Sequence, residues 1–141
     1  MSGRLAEKVA LVTGAGGGIG RETCRVFAAE GALVVAVDIN EDSCRETVTQ
    51  IEADRPGTVI CVTADVASGE DCLAMVAAAE ETFGRLDVLF NNAGIMDPAD
   101  GDAVETSLET WNRTLAINLT GVFLGCKAGV PALLRAGGGS I

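Results

Sequence analysis

The sequence predicts an α/β fold, a doubly wound, Rossmann-like parallel sheet in the strand order 3-2-1-4 with helices on both faces. Three observations predict it: short apolar runs alternate with longer helix-patterned stretches, the runs are continuously apolar, and a glycine-rich turn follows the first of them. Strand, helix and strand repeated in this way require right-handed crossovers and therefore parallel strands. If the first strand is central and the chain winds outward before returning, a ligand crevice opens between strands 1 and 4 at their carboxyl ends.

The strands are expected at Val9 to Val12, Leu33 to Val37, Thr58 to Thr63 and Leu86 to Phe90, each bounded by Gly, Asp, Asn or Pro. Helices are expected at about 18 to 30, 41 to 53 and 69 to 83. Asn40 precedes the acidic pair Glu41 and Asp42, and Ser68 with Asp71 reads as a capping box. Gly31 and Gly84 stand where a helix ends in a left-handed residue. A second capping box, Thr106 with Glu109, opens a longer helix whose Trp111, Leu115, Leu119, Val122 and Phe123 form one apolar stripe.

Composition bounds the function. A chain of 141 residues, 48% hydrophobic, matches one globular domain over residues 1–141, and no linker divides it. Of the 18 glycines several cluster at 14 to 20 and 137 to 139, and they do not repeat with a period, which argues against repeats. A net charge of −10 disfavours nucleic acid as a partner. Five cysteines, widely spaced and without a C-x-x-C pair, and no histidine suggest neither a disulfide framework nor a metal site. No apolar stretch is read as approaching the roughly 20 residues needed to cross a bilayer, so no membrane role is expected and a reducing cytoplasm fits best.

The chemistry begins at Thr13-Gly14-Ala15-Gly16-Gly17-Gly18-Ile19-Gly20, between the first strand and the first helix. A tight turn feeding a helix N-terminus binds phosphate through backbone N–H groups and the helix dipole, so an acidic protein can still hold a pyrophosphate. The spacing is G-x-x-x-G-x-G, since G-x-G-x-x-G counted from Gly14 and Gly16 would put Ile19 at the third glycine. Gly14 permits the turn, Gly18 allows close approach of the pyrophosphate, and Gly20 lets the helix pack on the strand. Eighteen residues past Gly20, Asp38 ends the second strand, where a carboxylate accepts hydrogen bonds from the adenosine ribose and repels a 2′-phosphate. Neither Ile39 nor Gly17 offers a compensating cation, so NAD is expected over NADP.

With these residues the sequence resembles the short-chain dehydrogenase/reductase family, from Lys8 to Ile141. Four motifs carry the resemblance: the Thr13 to Gly20 loop, Asp65 with Val66, Asn91-Asn92-Ala93-Gly94, and Asn118 in the long helix. The resemblance implies that Asp65 meets the adenine amino group while Val66 packs on the ring. It further implies that Asn92, Ala93 and Gly94 line the cofactor floor and that Asn91 holds the central strands. Asn118, by the same resemblance, holds a water in a proton relay. Read from the residues alone, Asn118 is a polar position between Ile117 and Leu119 that satisfies backbone groups at a helix irregularity.

The family's acid/base tyrosine, with a lysine four residues after it, has no counterpart here. The chain contains no tyrosine, and its lysines are Lys8 and Lys127, the latter read as a helix-face charge. Ser140 is not assigned the substrate-orienting role. The expectation is a cofactor-binding portion that stops before the catalytic segment, incomplete at its C-terminal side and inactive alone. Strand 4 would then be a long apolar edge and the Trp111 helix would lack partners, so a homo-oligomer is expected. Two functions compete: the N-terminal part of an NAD-dependent oxidoreductase acting on a secondary alcohol or carbonyl, and a non-enzymatic NAD-binding module or inactive partner subunit.

Overall fold

The computed structural model describes residues 3–141. In chain order the elements are β1 (Val9–Thr13), α1 (Gly18–Ala29), β2 (Leu33–Asp38), α2 (Glu41–Glu52), β3 (Val59–Thr63), α3 (Gly69–Phe83), β4 (Val88–Phe90) and α4 (Leu108–Leu115). A π-helical turn (Ala116–Thr120) then leads into α5 (Gly121–Arg135). The four strands form one parallel sheet in the order β3-β2-β1-β4, as the sequence predicts.

The unbroken apolarity of the strands is explained by two cores, one on each face. Val9, Leu11, Val35 and Val37 point toward α3 and α5, with Met75, Leu86, Leu89 and Leu133. Val12, Val34 and Ala36 point the other way, toward α1 and α2, with Cys24, Ala28, Cys44 and Ile51. All five residues of β1 are buried, whereas β3, at the sheet edge, buries only Val59 fully. Asp87, 4% exposed, anchors the start of β1 by accepting the Val9 N–H (2.9 Å) and pairing with Arg85 and Lys8.

Helix ends follow the sequence signals with two corrections. Asn40 and Ser68 cap α2 and α3 by accepting from Ser43 N and Asp71 N, and Gly31 and Gly84 adopt φ of 93° and 83°. The Ser68 box is only half formed, because the Asp71 carboxylate turns to the Asp65 N–H (2.8 Å). The cap of α4 is Ser107, which accepts from Thr110 N, instead of Thr106. Thr106 serves the preceding loop, accepting from Gly101 N and donating to Asp100.

The C-terminal side departs further. β4 is three residues long, not the long edge expected from Leu86 onward, and Ser140 already bridges it: Leu89 N donates to Ser140 O and Ser140 N to Asp87 O, both at 3.0 Å. The expected single helix is interrupted by the π turn. Its apolar stripe stays largely uncovered, with Trp111, Leu119 and Phe123 exposed and Lys127 lying over the Phe123 ring. The run Leu108–Arg135 is, by length and composition, long and apolar enough to cross a bilayer, contrary to the sequence reading. It buries Ala128, Ala132 and Leu133 in the core beside α3 and leaves most of its remaining apolar side chains exposed.

Candidate functional site

The carboxyl ends of all four strands open into one cleft of about 240 Å³, lined by Gly14 after β1, Asp38 and Ile39 after β2, Asp65 and Val66 after β3, and Ala93 and Gly94 after β4. A parallel sheet places every such turn on one side, which is why residues remote in sequence meet there.

At the glycine loop, Gly14 has φ of 68° and Gly18 of 53°, conformations that glycine adopts without Cβ strain. A Cβ on Gly20 would lie 2.0 Å from the Gly14 carbonyl oxygen, so α1 can seat against the loop only with glycine there. At Gly17 and Gly18 a Cβ would meet nothing, so the space beyond that backbone is free. The loop is fixed from behind: Thr47 Oγ1 donates to Ala15 O (2.8 Å), and the Arg21 guanidinium donates to Gly16 O (2.6 Å) and Thr47 Oγ1 (3.0 Å) while pairing with Glu46 (2.9 Å). The start of α1 has no side-chain cap, unlike the starts of α2, α3 and α4. Its first N–H groups therefore remain as donors.

Two carboxylates flank the cleft. Asp38 Oδ2 accepts the Gly16 N–H (2.8 Å) and Oδ1 accepts the Asn40 N–H (2.9 Å), which fixes the side chain between glycine loop and α2. Each oxygen keeps acceptor capacity toward the cleft. Asp65 Oδ1 accepts the Ala67 N–H (2.9 Å), and its own backbone is held by Asp71. A Cβ on Gly121 would lie 2.8 Å from Val66 Cγ2, so the helix presses Val66 into place.

On the far side, Thr13 ties β1 to the turn after β4. Its hydroxyl accepts from Asn92 N and Ala93 N, both at 3.0 Å, and Asn92 Nδ2 donates to Thr13 O (3.0 Å). The strand-tying amide is therefore Asn92, where the resemblance implied Asn91. Asn91 faces α5, its Oδ1 2.2 Å from a Cβ built on Gly125 and its amide near Cys126 Sγ. Asn118, in the middle of the π turn, is exposed, its Oδ1 accepting Ile95 N (2.7 Å) and its Nδ2 donating to Ile95 O (2.8 Å).

The structure thus brings Gly14, Asp38, Ile39, Asp65, Val66, Ala93 and Gly94 to one cleft, with Asn92 bracing it and Asn118 at its rim through Ile95. Gly16, Gly17, Gly18 and Gly20 form the loop beside it, and Gly16 joins it through Asp38. Ile19 stands apart, 73% exposed, in a shallow groove along α1 with Val26 and Phe27. Sequence reading missed Thr47 and Arg21, which hold the loop from behind, and gave Thr13 and Asp71 other places than the strand tie and the Asp65 brace they form. Arg21 had a signal, being the first cation after the glycine loop, but Glu46 and Thr47, which fix its direction, lie a helix away.

Comparison with known proteins agrees with this geometry. The family model described as short chain dehydrogenase matches residues 8–141. The chain is 43% identical over 141 residues to 2,5-dichloro-2,5-cyclohexadiene-1,4-diol dehydrogenase of Sphingobium indicum and also 43% identical to cyclohexanol dehydrogenase of an Acinetobacter species, covering 100% of this chain and 55% of each relative. Among solved structures, levodione reductase superposes with a TM-score of 0.91 at 34% identity, over 96% of this chain and 53% of that one. The chain spans about half the length of the curated relatives it matches. With the 3-2-1-4 sheet, the G-x-x-x-G-x-G loop and a family match over nearly its whole length, the chain belongs to the short-chain dehydrogenase family of oxidoreductases.

Proposed function

We propose that this chain is the cofactor-binding part of an NAD-dependent dehydrogenase that interconverts a secondary alcohol and a carbonyl. The observation that carries the reading is Asp38: its carboxylate is fixed at the mouth of the cleft by Gly16 and Asn40, one strand from an uncapped helix start. The residues fit a dinucleotide. The open backbone of Gly17 and Gly18 and the free N–H groups of α1 would take the pyrophosphate, Asp38 the ribose hydroxyls, and Asp65 with Val66 the adenine. A 2′-phosphate would meet the Asp38 charge, and the nearby cation, Arg21, is committed to Gly16, Thr47 and Glu46. That supports NAD over NADP.

The bound nicotinamide supplies the hydride chemistry. The chain's own contribution is to fix the floor with Asn92, Ala93 and Gly94, and to hold the Ile95 backbone through Asn118 at the π turn. The family resemblance implies that a water in a proton relay would be held at this turn beside Asn118. The acid/base group is not among these 141 residues, which include no tyrosine and no histidine. The named relatives oxidise cyclic alcohols, which favours a secondary alcohol as substrate of the whole protein. The exposed Trp111, Leu119 and Phe123 support self-association, and the acidic surface with free cysteines supports a cytoplasmic setting.

Thermal unfolding of the 141-residue chain with NAD or NADP tests the reading. NAD at 100 times its Kd stabilises the fold by about 2.7 kcal/mol, and Asp38→Ala removes most of that gain. Equal stabilisation by NADP, or none by either, overturns the proposal. Mixing the chain with NAD and cyclohexanol is expected to give no NADH. A second reading is a non-enzymatic NAD-binding module. It stands only if the whole protein, fully loaded with NAD, oxidises no alcohol.

A further inference from the structure

We propose that Cys44 and Cys61 are a redox pair, converted by a peroxide into an intramolecular disulfide that pins α2 to β3. The pair is invisible in the sequence, where the two cysteines are separated by a helix and a turn. In the fold they converge. Cys61 lies in register opposite Ala36 of β2, and Cys44 Sγ is 3.2 Å from the Ala36 carbonyl oxygen, so both thiols reach the same point of the sheet. Both belong to the core beneath α1 and α2. Burial first, and the adjoining Cys61 thiol next, push the Cys44 thiol up, which keeps it protonated.

The two are unequal in access. Cys44 is fully buried, whereas Cys61 is partly exposed because β3 is the edge of the sheet. This sets an order. The Cys61 sulfur attacks a peroxide oxygen, the S–O bond forms, the O–O bond breaks, and the departing oxygen leaves as water, giving a sulfenic acid. Cys44 sulfur then attacks Cys61 sulfur, the S–O bond breaks, and the hydroxyl leaves as a second water with the Cys44 proton. Two thiols lose two electrons and hydrogen peroxide is reduced to two waters. Cys24, on the inner face of α1 and pushed to about 12 by burial, and Cys72 and Cys126, on the other side of the sheet, are left out. The bond would form in the first turns of α2, beside Asn40 and Asp38.

The test is mild hydrogen peroxide treatment of the purified chain, folded and in urea, followed by thiol titration and non-reducing peptide mapping. The folded chain is expected to lose two of its five thiols to a single Cys44–Cys61 link. Cys61→Ser should lose none, Cys24→Ala should still form the link, and the urea sample should give mixed pairs. Over-oxidation of Cys61 without a link, mixed pairs in the folded chain, or thiol loss in Cys61→Ser would each overturn the proposal.

Discussion

The two sides of the sheet differ in how completely they are closed. From β1 out to β3, strands are sandwiched between α1 and α2 on one face and α3 on the other, and the glycine loop and Asp38 are braced by Arg21, Thr47 and Asn40. From β4 onward the strand is short, Ser140 makes one bridge, and the faces of α4 and α5 leave Trp111, Leu119 and Phe123 in solvent. The single buried side-chain oxygen without a partner among the described residues, Thr114 Oγ1, also lies on this side. On the proposed function, adenosine and pyrophosphate would be held by the closed side, and the reacting end of the cofactor would face the open one.

If the closed side carries the stability, its disruption should cost most. Gly20→Ala puts a Cβ 2.0 Å from the Gly14 oxygen, an overlap of backbone with backbone that no rotamer relieves. A loss of about 3 kcal/mol in urea unfolding is expected, with NAD stabilisation abolished. A loss under about 1 kcal/mol would mean that α1 is not seated on the loop as described.

Asp87→Asn comes next, because it weakens the buried acceptor joining β1 to Arg85 and Lys8. About 2 kcal/mol is expected at pH 7. Burial raises the Asp87 carboxyl, but the Arg85 and Val9 donors outweigh it and hold the group below its ordinary value. A native value lower than the unfolded one contributes stability above pH about 3.9, lost as pH falls through the native value. Acid titration should show a smaller loss of stability in Asp87→Asn than in the parent chain, Glu22, Glu80 and Asp102 also being held below their ordinary values.

On the open side the effects shrink. Asn118→Ala removes both bonds to Ile95, and about 1 kcal/mol is expected, with hydrogen exchange of the Ile95 N–H speeded while core amides stay protected. Phe123→Gln, at a 61% exposed position, should change stability by under about 0.5 kcal/mol yet lower self-association in sedimentation. A large stability loss there would show that the two sides are not as unequal as the burial pattern says.

How legible each part was follows from the range of the forces. Strand order, the first three helices and the cap residues Asn40 and Ser68 match the structure, the helices and caps because they depend on periodicity and local hydrogen bonds. Thr106 was misread as a cap because Ser107 beside it is equally suited, and only the Gly101 and Asp100 contacts decide between them. Asn118 was readable as an anomaly. That the anomaly is a π turn bonded to Ile95 was not, since Ile95 is 23 residues away. The alternative reading from the residues, backbone satisfaction at an irregularity, describes what its side chain does.

By itself the sequence determined the doubly wound parallel fold, the G-x-x-x-G-x-G loop and the acid that ends β2, because hydrophobic pattern and glycine stereochemistry act within a few residues. Only the tertiary structure decided that Asp38 is clamped by Gly16, that Asn92 and not Asn91 ties the strands, and that Cys44 and Cys61 converge on Ala36. Those depend on which strands the crossovers make neighbours, and a parallel sheet joins residues through space that the chain separates by whole helices.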